Sequence, residues 1–267
     1  MLQKNICVVL LVGLLSSLSL SALAAPNQII LIRHAEKPAQ GNEVNPAGCQ
    51  RSYALLNFFE KDPTVNQFGK PAAIYAQGAK DHGPGKPPGS LRPIQTISPT
   101  AQDLQLKVQT QFMRDDYAGV VGDIKQQYDG KTVIMSWEHN AIPGLAQAFG
   151  AQLNVNAQSW PSTVFDEAWV LKLDPKTQNY SLDKIIPEYV LKGDNPKGSD
   201  SKDGFLNWKG PVAPGSGPAF EGDPKLCTDN NKGLNEIVAK VAKPVPAGIV
   251  GVTPAGQKEP ISSKAME

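Results

Sequence analysis

Short apolar runs alternate along the chain with longer stretches in which apolar residues return at helical spacing. The segment 27–36, which reads NQIILIRHAE, holds an uninterrupted apolar run of strand length. Such a run is typical of a parallel strand that is buried on both faces. The segment 45–63 starts with Asn45 and Pro46, a helix cap followed by a first-turn proline, and ends at Pro63. It therefore predicts a helix.

The same alternation continues to about residue 190. The pattern predicts further strands at 71–79, 107–112, 132–137, 166–174 and, at a sheet edge, 180–190. It predicts helical segments at 91–106, where Pro99 interrupts the helix or divides it in two, at 118–130 and at 141–150. Strands that alternate with helices indicate an α/β fold. We expect a three-layer sandwich, with helices on both faces of a mostly parallel sheet.

The two ends of the chain differ from this middle part. The first 25 residues combine Lys4, an apolar run and a small-residue Ala-Leu-Ala site, which predicts a secretory signal peptide over 1–25. The alternative is an uncleaved membrane anchor. We expect one α/β domain at 26–195 and an irregular Gly/Pro-rich C-terminal extension at 196–267, with one short helix at 231–244 and a disordered end. The predicted location is periplasmic or secreted, with no stable membrane anchor after signal removal.

Charge and cysteine content narrow the possible partners. The full chain has 26 Lys and Arg against 25 Asp and Glu, and loss of Lys4 with the signal peptide would leave 25 against 25. This balance argues against a nucleic-acid partner, which would favour a basic surface. Cys49 and Cys227 remain after signal removal, and in an exported protein they are expected to form a disulfide. Two free thiols are the alternative. No CxxC metal motif is present.

Two predicted strands end in a charged residue followed by a histidine. The first runs into Arg33 and His34, and the strand at 132–137 runs into Glu138 and His139. In open α/β sheets, ligands bind at the carboxyl ends of the strands. Because the whole chain has three histidines, the placement of two of them at strand ends indicates a shared site. The alternative is that each is a packed or solvated side chain.

Three segments in order resemble the histidine phosphatase superfamily, also called the phosphoglycerate mutase-like family. They are LIRHAE at 31–36, SLRPIQTISPTA at 90–101 with Arg92, and VIMSWEHNAI at 133–142 with His139. The resemblance implies that His34 is a nucleophile that forms a phosphohistidine. It also implies that Arg33, Arg92 and His139 hold the phosphoryl group. Planar arginine forks suit the oxygens of such a group.

The proton donor for the leaving group departs from the better-known branches of that family. Asn140 follows His139 where one branch has Asp, and the segment 111–122 offers Asp115 and Asp116 but no Glu. Glu138 is the first candidate, provided that the strand has ended before it, and Asp115 is the second. Either could instead be a solvated or salt-bridged acid.

Three further residues beside the two histidines are candidates for substrate binding. They are Glu36, Lys37 and Asn140. Glu36 could instead orient the loop or an arginine, and Lys37 could be surface charge. His82 lies in a Gly/Pro-rich loop and is expected to be exposed.

The sequence therefore predicts an exported phosphatase that hydrolyses phosphomonoesters, on a small molecule or a phosphoprotein. We expect it to need no metal and no cofactor. One alternative is a non-catalytic module of the same fold that binds phosphate or a polyanion. Another is a cell-envelope interaction protein whose late Gly/Pro-rich segment is the working part. A mutase fits less well, because sugar-phosphate isomerisation belongs to the cytosol.

Overall fold

The structure is a computed structural model that describes residues 25–188, 190, 227 and 231–242. Apart from Ala25, the predicted signal peptide lies outside the described residues. So does the predicted extension at 196–267, except for Cys227 and the segment 231–242. Within the described ranges, no helix is both long and apolar enough to cross a membrane.

A six-stranded sheet forms the centre of the fold. Its strands are β1 Gln28–Arg33, β2 Ala73–Ala76, β3 Val108–Gln109, β4 Thr132–Trp137, β5 Glu167–Leu173 and β6 Tyr180–Pro187. The spatial order is β3-β2-β4-β1-β5-β6. Strands β1 to β4 are parallel, whereas β5 and β6 form an antiparallel pair beyond β1. The predicted mostly parallel sheet is confirmed.

Helices cover both faces of this sheet. They are α1 Pro46–Lys61, α2 Arg92–Asp103, α3 Tyr117–Gln127, α4 Ile142–Ala148 and α5 Lys232–Val241. Successive side chains of a strand point to opposite faces. Accordingly, Ile30 and Ile32 pack with α1, α2 and α5, whereas Ile29 and Leu31 pack with α3 and α4. The three-layer sandwich is thus confirmed.

Helix α1 begins as its sequence predicts. The Asn45 side chain accepts a hydrogen bond from the backbone N–H of Gly48 at 2.8 Å, and Pro46 follows the cap. Gly48 lies against the loop that follows β1. A Cβ at this position would lie 2.4 Å from the carbonyl oxygen of Glu36 and 2.8 Å from its nitrogen. The missing side chain therefore lets the first turn of α1 touch that loop.

Two predicted elements are wrong in detail. Helix α2 continues through Pro99, although proline cannot donate the usual helical hydrogen bond. Residues 93–101 of this helix are all buried, and their packing against α1 and α5 outweighs that loss. Strand β3 is limited to Val108–Gln109, because the chain then turns so that the carbonyl of Phe112 accepts from the N–H of Gly78 at 2.8 Å.

The last described helix is joined to the first by a disulfide. Cys49 of α1 is bonded to Cys227, which precedes α5, with 5.6 Å between their Cα atoms. The predicted pair is confirmed in the structure. The expected short helix at 231–244 is present as α5 and packs on the same face of the sheet as α1 and α2.

Candidate active site

The carboxyl ends of β1 and β4 lie side by side. The parallel register pairs Arg33 with Trp137, and the backbone N–H of His34 donates to the carbonyl of Trp137 at 2.9 Å. This bond continues the pairing one residue beyond β1, and β4 ends at Trp137. The two segments that contain histidine therefore leave the same edge of the sheet as neighbours.

A backbone carbonyl fixes the ring of His34. The ring is 4% exposed, and its Nδ1 lies 2.8 Å from the carbonyl oxygen of Ala35. A carbonyl can only accept, so Nδ1 carries the proton and Nε2 keeps its lone pair. The loop itself is held because the N–H of Ala35 donates to Thr96 Oγ1 at 2.8 Å. His34 thus has the tautomer and the rigidity that a nucleophile requires.

Burial and neighbouring positive groups keep the His34 ring neutral. Burial is the main cause that lowers its pKa to about 3. Arg33, Arg92 and His139 lower the pKa further, whereas the hydrogen bond to Ala35 opposes the shift. All three groups therefore lie within electrostatic range of the His34 ring.

Arg33 is buried beneath the site and fixed by a carbonyl-rich loop. Its guanidinium NH1 donates to the carbonyls of Pro161, Ser162 and Val164 at 3.4, 2.8 and 2.6 Å. The guanidinium carbon lies 3.6 Å from the centroid of the Phe165 ring. Burial lowers the pKa of Arg33 to about 10, so the group stays cationic at neutral pH. Its Nε is buried without a hydrogen-bond partner among the described residues, which leaves a donor for an anion.

Arg92 approaches from the first turn of α2. Its Nε donates to the carbonyl of Glu43 at 3.1 Å, its NH1 to Ser90 Oγ at 3.2 Å, and its NH2 to the carbonyl of Gly41. Burial lowers the pKa of Arg92, and the carboxylate of Glu138 opposes that shift. Each terminal nitrogen of a guanidinium has a second N–H. Arg92 is therefore anchored and can still donate to a ligand.

His139 follows β4 beside the loop that contains His34 and is half-buried. Burial lowers its pKa, as do Arg33, Lys37 and Arg114, while Glu138 raises it. The Nδ1 atom of His139 is buried and has no hydrogen-bond partner within the described part of the chain. Such a nitrogen is either an open donor or an open acceptor. It is suited to an oxygen of a bound phosphoryl group.

Glu138 leaves the strand alternation, as its predicted role requires. Strand β4 ends at Trp137, and the N–H of Ala141 donates to the carbonyl of Glu138 in a turn. The N–H of Glu138 donates to Gln77 Oε1 at 3.1 Å. Its carboxylate Oε2 lies 2.8 Å from Nε of Arg114. Glu138 also lies within electrostatic range of Arg33, Arg92 and His139, and it raises the pKa of each.

Arg114 is a site residue that the sequence reasoning missed. It precedes α3 on the loop after β3, and its carbonyl accepts from Trp137 Nε1 at 2.9 Å. The sequence could have indicated it, because Arg114 directly precedes Asp115 in the segment 111–122 that was considered for the proton donor. Asp115 is 68% exposed and pairs with Arg114 at 3.0 Å. Asp116 caps α3 through the N–H of Gly119. Unlike Glu138, neither aspartate is among the groups that shift the pKa of Arg33, Arg92 or His139.

The three predicted substrate-binding residues have different surroundings. Glu36 engages Arg51 through both carboxylate oxygens, and its Oε1 lies 2.7 Å from Arg51 NH2. Lys37 is exposed but close enough to lower the pKa of His139. Asn140 is exposed in the turn after His139. Direct contact of any of the three with substrate stays a prediction.

The remaining candidates outside the cleft have ordinary roles. His82 is exposed, as expected. Trp137 is fully buried, and Trp160 stacks on Trp169 with 5.3 Å between ring centroids. Among the described residues, no group of three or more His, Cys, Asp or Glu side chains is arranged to hold a metal ion. The cleft offers donors and cations, a set that suits an oxyanion such as a phosphoryl group.

No protein-family model matches the sequence, and no curated protein matches it. Three solved structures resemble the fold over 60% of this chain. A protein assigned as the phosphohistidine phosphatase SixA from Agrobacterium tumefaciens has 12% identity, a TM-score of 0.39 and 97% of its chain covered. The protein histidine phosphatase SixA complexed with tungstate has 12% identity, a TM-score of 0.43 and 97% of its chain covered. A protein assigned as the phosphohistidine phosphatase SixA from Nakamurella multipartitia has 15% identity, a TM-score of 0.39 and 96% of its chain covered. These likenesses concern the fold alone.

Proposed function

We propose that this protein is an exported phosphatase that hydrolyses phosphomonoesters through a phosphohistidine on His34. One observation supports the proposal most directly. The bond from Nδ1 to the carbonyl of Ala35 leaves Nε2 unprotonated, in a cleft where Arg33, Arg92 and His139 all act on the ring. A neutral nucleophile among fixed positive groups is what attack on a phosphoryl dianion requires.

In the first step, Nε2 of His34 attacks the phosphorus atom. A nitrogen–phosphorus bond forms as the bond between phosphorus and the ester oxygen breaks. The leaving oxygen takes a proton from the carboxyl group of Glu138, and the carboxylate that results is stabilised by its ion pair with Arg114. Phosphohistidine and the free alcohol are the products of this step.

In the second step, water attacks the phosphorus of the phosphohistidine. The carboxylate of Glu138 accepts a proton from that water, and the nitrogen–phosphorus bond breaks. Inorganic phosphate leaves, and His34 returns to its neutral state with the proton still on Nδ1. Because Glu138 is reprotonated, the site is ready for a second turnover.

The fixed cations stabilise both transition states. Arg33 and Arg92 are already held by backbone carbonyls, so little reorganisation is needed when charge moves onto the phosphoryl oxygens. The buried Nδ1 of His139 and the buried Nε of Arg33 have no partners among the described residues.

The proposed substrates are small phosphorylated molecules and phosphoproteins. The proposed catalytic groups recognise the phosphoryl group and not the molecule to which it is attached. Periplasmic or secreted location follows from the leader-like pattern of residues 1–25. The disulfide between Cys49 and Cys227 supports it, since such bonds persist in oxidising compartments. We expect turnover to continue without added metal.

The proposal is tested with p-nitrophenyl phosphate between about pH 4 and 8, for the wild type, His34→Ala and the control His82→Ala. Wild type and control should turn over in the presence of a chelator, and His34→Ala should be inactive. Rapid acid-free denaturation during turnover should trap an acid-labile phosphoryl label on the wild type and His82→Ala, but not on His34→Ala. Tight binding of inorganic phosphate without turnover of any phosphoester would instead identify a binding module.

A further inference from the structure

The backbone loop at 41–44 forms a cradle around Arg92. The carbonyls of Gly41 and Glu43 accept from the guanidinium NH2 and Nε, respectively. The N–H of Leu91, which precedes α2, donates to the carbonyl of Asn42 at 2.8 Å. The direction in which Arg92 points is thus set by the position of this loop, which has no regular secondary structure of its own.

Helix α5 braces the cradle from outside. Asn231 donates its side-chain amide to the carbonyl of Val44 at 2.9 Å and to Glu43 Oε2 at 3.3 Å. Asn235, one turn later, donates to Glu43 Oε1 at 3.1 Å. Asn231, which caps α5, and Asn235 within it therefore hold both carboxylate oxygens of Glu43 and one backbone carbonyl of the cradle.

A buried glutamine of α2 closes the network. Gln95 is fully buried, and its Oε1 accepts from the N–H of Val44 at 2.9 Å. Its Nε2 donates to Asn235 Oδ1 at 2.8 Å. Gln95 therefore links α5 and the cradle to the helix that also contains Arg92. Both polar atoms of the Gln95 side chain have a hydrogen-bond partner. A shift of α5 would therefore disturb the hydrogen bonds that join α5, the cradle and α2.

The disulfide fixes the start of the brace. Cys227 lies shortly before Asn231 and is bonded to Cys49 in α1. Asn231 itself is buried and has a left-handed backbone conformation with φ of 56°, which asparagine tolerates better than most residues. Asn231 thus caps α5 and directs its side-chain amide at the cradle.

We propose that Asn231 and Asn235 are positioning residues for Arg92, which act through Glu43 and the cradle on the grip of the phosphoryl group. The inference rests on the proposed function, because it assumes that Arg92 binds phosphate. It assigns the late helix α5, which contributes no group to the cleft itself, to the substrate-binding machinery. Loss of the brace should weaken binding of the phosphoryl group more than it slows the chemical step.

The test exchanges the donor and acceptor between Asn235 and Glu43. Asn235→Asp keeps the oxygen that accepts from Gln95 but sets a carboxylate against that of Glu43. We expect the dissociation constant of inorganic phosphate and the KM for p-nitrophenyl phosphate to rise about 3- to 10-fold, with kcat changed less. Adding Glu43→Gln supplies an amide donor to the new carboxylate and should restore most of the loss. Asn57→Ala, at an exposed position of α1, is the matched control.

Arg92→Ala separates positioning from general stability. In that background, Asn235→Asp should cause no further loss of phosphate binding, because the residue on which it acts is gone. Equal losses with and without Arg92, or no rescue by Glu43→Gln, would overturn the inference and leave only a structural role. If Arg92→Ala itself leaves phosphate binding unchanged, the proposed function is the part that has failed.

Discussion

The Nε atom of Arg114 lies 2.8 Å from Oε2 of Glu138, which sets a cation from the loop after β3 against the carboxyl group that follows β4. The contact restrains a side chain that is otherwise about one-third exposed. If Glu138 is the proton donor, as proposed, this contact restrains the position of its carboxyl group during general acid catalysis.

Glu138→Gln should lower kcat strongly for substrates with poor leaving groups. An alkyl alkoxide needs a proton as it departs, so we expect a loss of about 100- to 10,000-fold for an alkyl phosphate. A p-nitrophenolate leaves without protonation, so the first step with p-nitrophenyl phosphate should be affected much less. Single-turnover kinetics with the two substrates measure the difference.

Asp115→Asn is the control for the choice of acid, because Asp115 also contacts Arg114 but is largely exposed. It should retain nearly wild-type rates with both substrates. Equal losses for alkyl and p-nitrophenyl phosphate in Glu138→Gln would contradict a proton-donating role. A large leaving-group effect in Asp115→Asn would transfer that role to Asp115.

His34 should make the folded protein sensitive to acid. Its pKa is about 3 in the folded state, against 6.5 for an ordinary histidine, mainly because of burial. Below pH 6.5 the unfolded chain therefore binds a proton that the folded protein does not, and stability falls as the pH drops towards 3. We expect a loss of about 3 kcal/mol in the free energy of unfolding at pH 4 relative to pH 7.

Urea unfolding of the wild type and His34→Gln from pH 4 to 7 measures this contribution. The variant should lack the His34 part of the loss, so its stability should change less with pH. His82→Gln, altered in an exposed loop, should follow the wild type. The same pH dependence in the wild type and His34→Gln would show that the ring is not held neutral by the fold.

Arg92→Ala should raise KM about 10- to 100-fold, because it removes charge-assisted hydrogen bonds to the phosphoryl oxygens. The chemical step should also slow, since charge on those oxygens changes in the transition state. Arg92→Lys keeps the charge but loses the planar fork that Glu43 and Gly41 hold. It should recover only part of the loss in kcat/KM, and an unchanged kcat/KM in Arg92→Ala would show that the second arginine is misassigned.

Reduction of the bond between Cys49 and Cys227 should destabilise the protein by about 2–5 kcal/mol, because a long loop of the unfolded chain is no longer closed. Thermal unfolding with and without reductant measures the change. The double variant Cys49→Ser, Cys227→Ser should match the reduced protein and be insensitive to reductant. Two free thiols in the denatured, unreduced mature protein would contradict the link.

The sequence was sufficient for the parts of the site that belong to regular elements. The apolar run before Arg33 and the run before Glu138 each predict a buried strand, and parallel strands share one carboxyl edge. The meeting of His34 and His139 then follows from topology. Arg92 was found through the motif around it. It is the first residue of α2, and the packing of this helix on the sheet fixes where the helix begins.

Contacts made by irregular backbone could not be predicted. Arg114 lies in a loop whose direction depends on tertiary packing, including the bond from Trp137 to its carbonyl. The partner of the His34 ring is the carbonyl of Ala35, and every residue has a carbonyl. The pairing of Glu36 with Arg51 depends on the direction of α1 after its N-cap, which the sequence does not specify. The sequence therefore left the role of Glu36 open between substrate binding and orientation of an arginine.

The spacing between Cys49 and Cys227 also determines when the site is completed. The two cysteines are 178 positions apart, so synthesis yields His34, Arg92 and His139 long before the last partner of the disulfide emerges. The parallel strands can gather the reacting groups early, whereas the covalent tether of α5 needs both the late segment and an oxidant. If the chain is exported as proposed, a newly made molecule would hold phosphate only loosely until it left the cell interior, and cytosolic phosphoesters would be spared in the meantime.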